Sequence, residues 1–264
     1  MTDPDRARRA GPRELGVTVT GRYRFQWLVI RGLIGALFKV RAEGLENWPA
    51  PPFQLVCNHH NGWDPFLLGS VAPLRPRITW FGPRELDFSR GFKNRMMGFF
   101  GGMIPFHPRT SLTSAVRAVQ RVFAAHGVLA IFAEGRIGFR ETALLPLQEG
   151  ATVFAITSEV PIVPCAIIGS IRLWFRCPII VRFGEPIPAV AAHDRAARQA
   201  LEATVRDALA ALLPKDEPPV PDRMPLAFLT DLFNGPADVA RRRAYLAGEA
   251  GEAEESEPQT TAGD

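Results

Sequence analysis

The chain of 264 residues is long enough for one large α/β domain with appendages, and its 47% hydrophobic and 22% charged residues are typical of an ordinary globular protein. Three cysteines, Cys57, Cys165 and Cys177, are too few and too scattered for a disulfide framework or a zinc site. Their number favours a reducing cytosolic compartment.

The net charge of +4 hides an asymmetry along the sequence. Six acidic residues and no Lys or Arg lie from Gly248 onward, so residues 1–247 carry 31 basic and 21 acidic side chains, a net charge of +10. A basic body of this kind suits an anionic membrane surface and anionic substrates such as phosphates and coenzyme A. Neither a recognition-helix motif nor an aromatic RNA-binding signature is present, so we predict no nucleic-acid partner.

The N-terminal region predicts a mobile basic arm over residues 1–20, followed by an amphipathic helix from Tyr23 to Phe38. Such a helix would be about 24 Å long, short of the ~30 Å hydrocarbon core, so we expect it to lie in the membrane interface rather than span it. Arg24 and Arg31 fall on one narrow face and apolar residues cover the rest. Packing on the domain's own core is the alternative, and the two roles are compatible.

The run from Asn58 to Asp64 follows an apolar predicted strand, Phe53 to Cys57, and precedes a helix that begins with proline. A histidine at a strand end, with an aspartate five residues on, suits general-base chemistry on a hydroxyl. Asp64 alone also fits a helix N-cap. The residue pattern does not choose between His59 and His60, because a continuous helix would place His60 beside Asp64 whereas Pro65 disfavours that geometry.

From this turn onward, predicted strands and helices alternate, which favours an α/β sandwich with a mostly parallel central sheet flanked by helices. The predicted strands are Arg77 to Phe81, Val128 to Phe132, Ile162 to Ile168 and Ile179 to Phe183. The predicted helices are Pro65 to Val71, Phe88 to Phe100 as a helix or lid, a helix capped by Thr110 or Ser111 and closed by Gly127, Gln148 to Glu159, and Ala196 to Leu213.

Composition divides the chain into four parts. Residues 1–20 are the arm, and residues 21–213 are the main domain with its N-terminal membrane-associating helix. Residues 214–247 combine a proline-rich linker with one or two short predicted helices, and residues 248–264 have the composition of a disordered acidic tail.

Four blocks, in order within residues 40–185, resemble the PlsC-like glycerolipid acyltransferases, the family of 1-acylglycerol-3-phosphate (lysophosphatidic acid) acyltransferases. The first block is the Asn-His-x-x-x-x-Asp pattern of residues 58–64. The second spans residues 102–109, with Arg109 one residue later than usual. The third spans residues 131–138, and the fourth spans residues 160–167.

The resemblance implies acyl transfer from an acyl-coenzyme A or acyl-carrier-protein thioester to the hydroxyl of lysophosphatidic acid, at the cytoplasmic face of the cell membrane. It selects His59 as general base and Asp64 as the residue that fixes its tautomer. It further implies that Arg109 and Arg136 bind the acceptor phosphate. Glu134 is expected to orient an arginine or an acceptor hydroxyl, and Gly135 to permit close backbone approach. No metal and no cofactor besides the thioester co-substrate are implied.

Departures from the family pattern leave the acceptor open. Asn61 stands where serine is frequent, and Ile137 stands where the common third block has arginine. Another lysophospholipid or a lyso-aminolipid is therefore an alternative acceptor. The rival from another class is a catalytically silent protein that binds membrane lipids. A hydrolase is disfavoured because the sequence has no Gly-x-Ser-x-Gly elbow.

Overall fold

The computed structural model describes residues 17–83, 103–106, 112–148, 150–188 and 194–247. Seven strands in these ranges form one sheet in the order β1-β7-β6-β2-β5-β3-β4, and every neighbouring pair is parallel except β6 and β7. The predicted α/β class with a mostly parallel central sheet is confirmed. The strands are β1 (Phe38–Glu43), β2 (Phe53–Cys57), β3 (Ile78–Pro83), β4 (Met103–Phe106), β5 (Val128–Phe132), β6 (Ile162–Ile168) and β7 (Cys177–Phe183).

Helices flank both faces of the sheet. They are α1 (Gly21–Leu37), α2 (Asp64–Val71), α3 (Leu112–Ala124), α4 (Gly150–Ser158), α5 (Arg195–Leu212) and α6 (Pro236–Leu246), with short 3-10 helices at Leu45–Asn47 and Ala227–Asp231. Residues 1–16 of the predicted arm, the helix or lid at residues 88–100, the cap at residues 110–111 and the acidic tail lie outside the described residues.

Two strands were absent from the sequence prediction. β1 follows α1 without a break and alternates charged, more exposed residues with apolar ones at a sheet edge, so it carries no turn signal before it. β4 is only four residues long. β7 begins two residues earlier than predicted because Cys177 pairs with Phe38 of β1.

The core lies in two layers, one on each face of the sheet, because successive side chains of a strand point in opposite directions. In β2, Leu55 and Cys57 pack with α1 and α2, and Val56 packs with α3, α4 and α5. All five residues of β2 are buried, which is expected of the middle strand of a parallel sheet. Cys57 is fully buried, which fits a small apolar side chain in this strand.

Among the described residues, helix α1 packs on the domain by one side. Ile34 is buried in the first layer, and the Arg31 guanidinium stacks over Trp27 and donates to the carbonyl oxygen of Ser70 at 2.7 Å. The opposite side exposes large apolar side chains. These are Phe25, Leu28, Val29 and Leu33, between 40% and 61% exposed. Within the described ranges, no helix is both long and apolar enough to cross a membrane.

Candidate active site

The candidate site lies at the carboxyl ends of β2 and β5. These parallel strands are neighbours, and their last residues, Cys57 and Phe132, are paired in register. The loop of residues 58–63 and the loop of residues 133–138 therefore leave the same edge of the sheet side by side. The carboxyl edge of a parallel sheet is where α/β proteins bind ligands.

His59 and Asp64 form the central pair of this site. The Nδ1 atom of His59 lies 2.9 Å from Oδ2 of Asp64. A carboxylate only accepts hydrogen bonds, so Nδ1 carries the proton and donates it to Asp64. In the neutral ring this tautomer leaves the lone pair on Nε2, which is the nitrogen that can accept a proton from a substrate.

The Asp64 carboxylate also closes the turn that carries His59. Its Oδ2 atom accepts the backbone N–H of His60 at 2.7 Å and of Asn61 at 2.8 Å, and the side chain is fully buried. Trp63, rather than Asp64, occupies the N-cap position of α2, and no side chain caps that end. The carboxylate thus faces back into the turn, so the N-cap alternative for Asp64 is wrong.

Aromatic packing orients the His59 ring. The imidazole stacks on Phe132 with ring centres 4.2 Å apart and planes inclined by 23°. Phe132 in turn stacks with Trp80 of β3. The His59 side chain retains 20% of its exposure, so the ring is fixed on one face and still open to a substrate.

The third sequence block holds the backbone of His59 from the other side. Oε1 of Glu134 accepts the His59 N–H at 2.9 Å, and the Gly138 N–H donates to the His59 carbonyl oxygen at 2.8 Å. Oε2 of Glu134 accepts the N–H of Leu145 at 2.9 Å. Glu134 thus binds two backbone N–H groups, and its role in orienting an arginine or an acceptor hydroxyl stays a prediction. Burial raises its pKa, and the charge of His60 and the two backbone hydrogen bonds oppose that rise.

His60 points into the protein and belongs to a different network. Its Nδ1 lies 3.3 Å from Oε2 of Glu141, and its side chain is 1% exposed. Desolvation lowers the His60 pKa, but the charges of Glu141, Glu134 and Asp64 together outweigh it and raise the pKa to about 9. His60 is therefore a buried cation among three acids, and His59 is the histidine paired with Asp64.

Of the remaining predicted site residues, the structure describes Gly135 and Arg136. Gly135 adopts φ +68°, and an added Cβ would lie 2.9 Å from Cγ of Gln148, so the turn after Glu134 requires glycine. Arg136 follows in the same turn and is partly exposed. Arg109 lies outside the described residues. Among the side chains that the structure describes, no three His, Cys, Asp or Glu are arranged to hold a metal ion.

A family model matches the part of the chain that carries this site. The model of the family described as Acyltransferase matches residues 39–168, which include the His59–Asp64 turn and the Glu134 loop. Residues 39–168 thus match an acyltransferase family, and the predicted resemblance to the PlsC-like family is confirmed.

A solved structure has the same fold. It is the 1-acyl-sn-glycerophosphate (LPA) acyltransferase PlsC from Thermotoga maritima, which is 19% identical. The TM-score is 0.52, over 79% of this chain and 86% of that chain. A search of curated proteins finds no match.

The buried His60 cation predicts a specific pH dependence of stability. Its folded pKa of about 9 exceeds the ordinary 6.5, so its contribution is fully present below pH 6.5 and is lost as the pH rises through 9. We expect the free energy of unfolding, measured with urea at pH 6.5 and pH 9.5, to fall by up to about 3 kcal/mol for this reason. In His60→Gln, this part of the fall in the free energy of unfolding should be absent.

The control for this experiment is His126→Asn. His126 is exposed, and asparagine tolerates its positive φ of 54°. This variant should keep the pH dependence of the wild type. Equal pH dependence in His60→Gln and the wild type would refute the assignment of a buried cation.

Proposed function

We propose that this acyltransferase moves an acyl chain from an acyl-coenzyme A or acyl-carrier-protein thioester to the free hydroxyl of lysophosphatidic acid, which gives phosphatidic acid. The observation that carries the proposal is the 2.9 Å contact between His59 Nδ1 and Asp64 Oδ2 inside the stretch that matches the acyltransferase family. The PlsC structure with the same fold is a 1-acyl-sn-glycerophosphate (LPA) acyltransferase, which adds support.

In the proposed reaction, Nε2 of His59 takes the proton of the acceptor hydroxyl as the hydroxyl oxygen attacks the thioester carbonyl carbon. Asp64 stabilises the imidazolium that forms, through the Nδ1–H bond. The Phe132 ring face against the imidazole adds a cation–π contact in that state. The tetrahedral intermediate then collapses, the carbon–sulfur bond breaks, and the departing thiolate takes the proton from His59. No acyl-enzyme is needed because a thioester is already activated.

The acceptor phosphate is the substrate group that the basic residues fit. A guanidinium binds two phosphate oxygens at once, and Arg136 follows directly on the Glu134–Gly135 turn that braces His59. We assign phosphate binding to Arg136 and, on the sequence pattern, to Arg109. Another lysophospholipid or a lyso-aminolipid remains the alternative acceptor.

Phosphatidic acid, with two acyl chains, resides in the membrane, and α1 has an exposed apolar surface that can bind there. Its exposed apolar side chains lie on the side that faces away from the domain. Basic residues Arg24 and Lys39 are exposed nearby, which favours an anionic bilayer. We propose peripheral binding at the cytoplasmic face of the membrane through this side of α1. A catalytically silent lipid-binding protein would use the same surface.

The proposed base is tested by thiol release from acyl-coenzyme A in the presence of lysophosphatidic acid. The wild type should release thiol only with acceptor, and His59→Ala should reduce kcat about 10²- to 10⁴-fold because general-base catalysis is lost. His126→Asn, which changes an exposed histidine far along the chain, should turn over normally.

Acceptor-dependent release that survives in His59→Ala would disprove its role as the base. A folded wild type that releases no thiol with any lysophospholipid, from acyl-coenzyme A or from acyl-carrier protein, would instead support the silent lipid-binding protein.

The phosphate assignment is tested by comparing lysophosphatidic acid with monoacylglycerol, which lacks the phosphate. Arg136→Ala should lower kcat/KM for lysophosphatidic acid roughly 10- to 100-fold, because a charge-assisted hydrogen bond is worth about 1.5–3 kcal/mol. It should change kcat/KM for monoacylglycerol far less. Arg117→Ala, on the exposed side of α3, is the matched control. An equal loss of kcat/KM for both acceptors would show that Arg136 does not bind the phosphate.

Membrane binding through α1 is tested by sedimentation with vesicles that contain anionic lipid. The double variant Phe25→Ser, Leu28→Ser should bind at least about 10-fold more weakly, because each side chain gains roughly 1.5–3 kcal/mol when fully buried in an apolar medium. Val220→Ser, an exposed apolar residue in the linker, is the control. Unchanged vesicle binding of the double variant would exclude this side of α1 as the membrane contact.

A further inference from the structure

A segment beyond the family match contacts the turn between His59 and Asp64. We call residues 226–247, which contain the Ala227–Asp231 3-10 helix and α6, the C-terminal segment. The Acyltransferase family match ends at residue 168, so nothing in that match assigns the segment a role. Three of its hydrogen bonds reach the consecutive residues Asn61, Gly62 and Trp63, which belong to the four-residue spacer of the His-x-x-x-x-Asp pattern.

Each of these three residues makes a hydrogen bond to the C-terminal segment. The Asn61 Nδ2 donates to the Thr230 carbonyl oxygen at 3.2 Å, and the Gly62 N–H donates to Asn234 Oδ1 at 2.7 Å. The Trp63 indole N–H donates to the Leu229 carbonyl oxygen at 2.7 Å. Asp64 thus closes the turn from inside, and the C-terminal segment holds it from outside.

Close packing accompanies these hydrogen bonds. The Phe233 ring meets Trp63 edge to face with centres 4.5 Å apart, and it packs on Phe66 of α2 at 5.1 Å. A Cβ atom on Gly62 would lie 2.5 Å from the Phe233 carbonyl oxygen, so the approach of the two backbones requires glycine there. The turn has no room to shift toward the segment.

The segment is itself fixed to the domain. The Thr230 hydroxyl accepts the Leu173 N–H at 2.8 Å and donates to the Leu173 carbonyl oxygen at 3.0 Å. At the other end, Tyr245 of α6 packs on Phe139 of the domain, with ring centres 5.8 Å apart. Because it is anchored at both ends, the segment can impose a position on the turn instead of following it.

We propose that the C-terminal segment positions the His59–Asp64 pair, with Asn234 and Phe233 as its positioning residues. Neither residue touches the reacting atoms. They fix the spacer whose conformation sets the separation of His59 Nδ1 and Asp64 Oδ2. The effect of this positioning on catalysis rests on the proposed function. Its geometric content, that the segment maintains this hydrogen bond, stands independently of any substrate.

The test compares Asn234→Ala, Asn234→Asp and Phe233→Ala in the full-length protein, with short-chain acyl-coenzyme A and lysophosphatidic acid below its micelle concentration. Asn234→Ala removes the acceptor of the Gly62 N–H. We expect kcat to fall about 10- to 100-fold per folded molecule, which is the scale of a misplaced catalytic group, with the KM for donor within about twofold. Asn234→Asp keeps an oxygen for that N–H but loses the Nδ2 hydrogen bond to the Thr230 carbonyl oxygen at 2.9 Å, so it should recover only part of kcat.

The matched control is Phe228→Ala. Phe228 is in the same segment but is 62% exposed, so its removal should leave kcat at the wild-type value. Phe233→Ala should lower kcat in the same way as Asn234→Ala. The folded fraction of each variant is measured by thermal unfolding, and kcat is taken well below the midpoint. If folded Asn234→Ala and Phe233→Ala both retain wild-type kcat, the segment serves stability alone and the inference is overturned.

A second readout does not depend on turnover. The Nδ1–H proton of His59, held in its bond to Asp64, is followed by NMR in protein with labelled histidines and is assigned from its loss in His59→Ala. We expect the resonance to disappear or move strongly in Asn234→Ala and to remain in Phe228→Ala. If the wild type has no turnover but the resonance behaves so, the proposed function fails and the positioning role holds. An unchanged resonance in Asn234→Ala contradicts the inference.

Discussion

One oxygen of the Asp64 carboxylate determines the geometry of the site. It accepts three hydrogen bonds, from the His59 ring and from the N–H groups of His60 and Asn61, and it is completely buried. A buried carboxylate is stable only when its charge is compensated in this way. The same contacts that satisfy the charge also fold the turn and select the His59 tautomer. Structure and chemistry therefore depend on the same atom, and a change at Asp64 affects both.

Around that atom, the protein holds three acids and one histidine away from water. Glu134 uses its charge to bind backbone N–H groups on both sides of the site, and Glu141 faces His60. Charges of like sign this close repel one another, and a protonated His60 offsets part of that repulsion. The result is a buried cluster of charges beneath His59, whose ring contacts this cluster through Asp64 and keeps 20% of its exposure. The two adjacent histidines therefore have different partners: His59 pairs with Asp64, and His60 faces Glu141.

The sequence predicted those features of the site that depend on residues close together along the chain. The apolar run of β2 and the helix that starts at the Asp64-Pro65 step were evident from sequence, because both depend on neighbouring residues. The partner of His60 was not, because Glu141 is 81 positions away along the chain and reaches it only through the fold. The sequence predicted one or two short helices within residues 214–247, but it did not predict that they contact the turn. The hydrogen bonds of the C-terminal segment to the turn come from backbone groups and one asparagine, which leave no motif.

The most direct test of the account is a double-mutant cycle on acceptor-dependent thiol release, with His59→Ala, Asp64→Asn and the combined variant. When two residues act as one unit, removing the second costs nothing more once the first is gone. The account therefore predicts that kcat of the double variant is no lower than that of His59→Ala alone. Losses that multiply would mean that His59 and Asp64 act independently. That result would contradict the claim that Asp64 acts through the His59 ring.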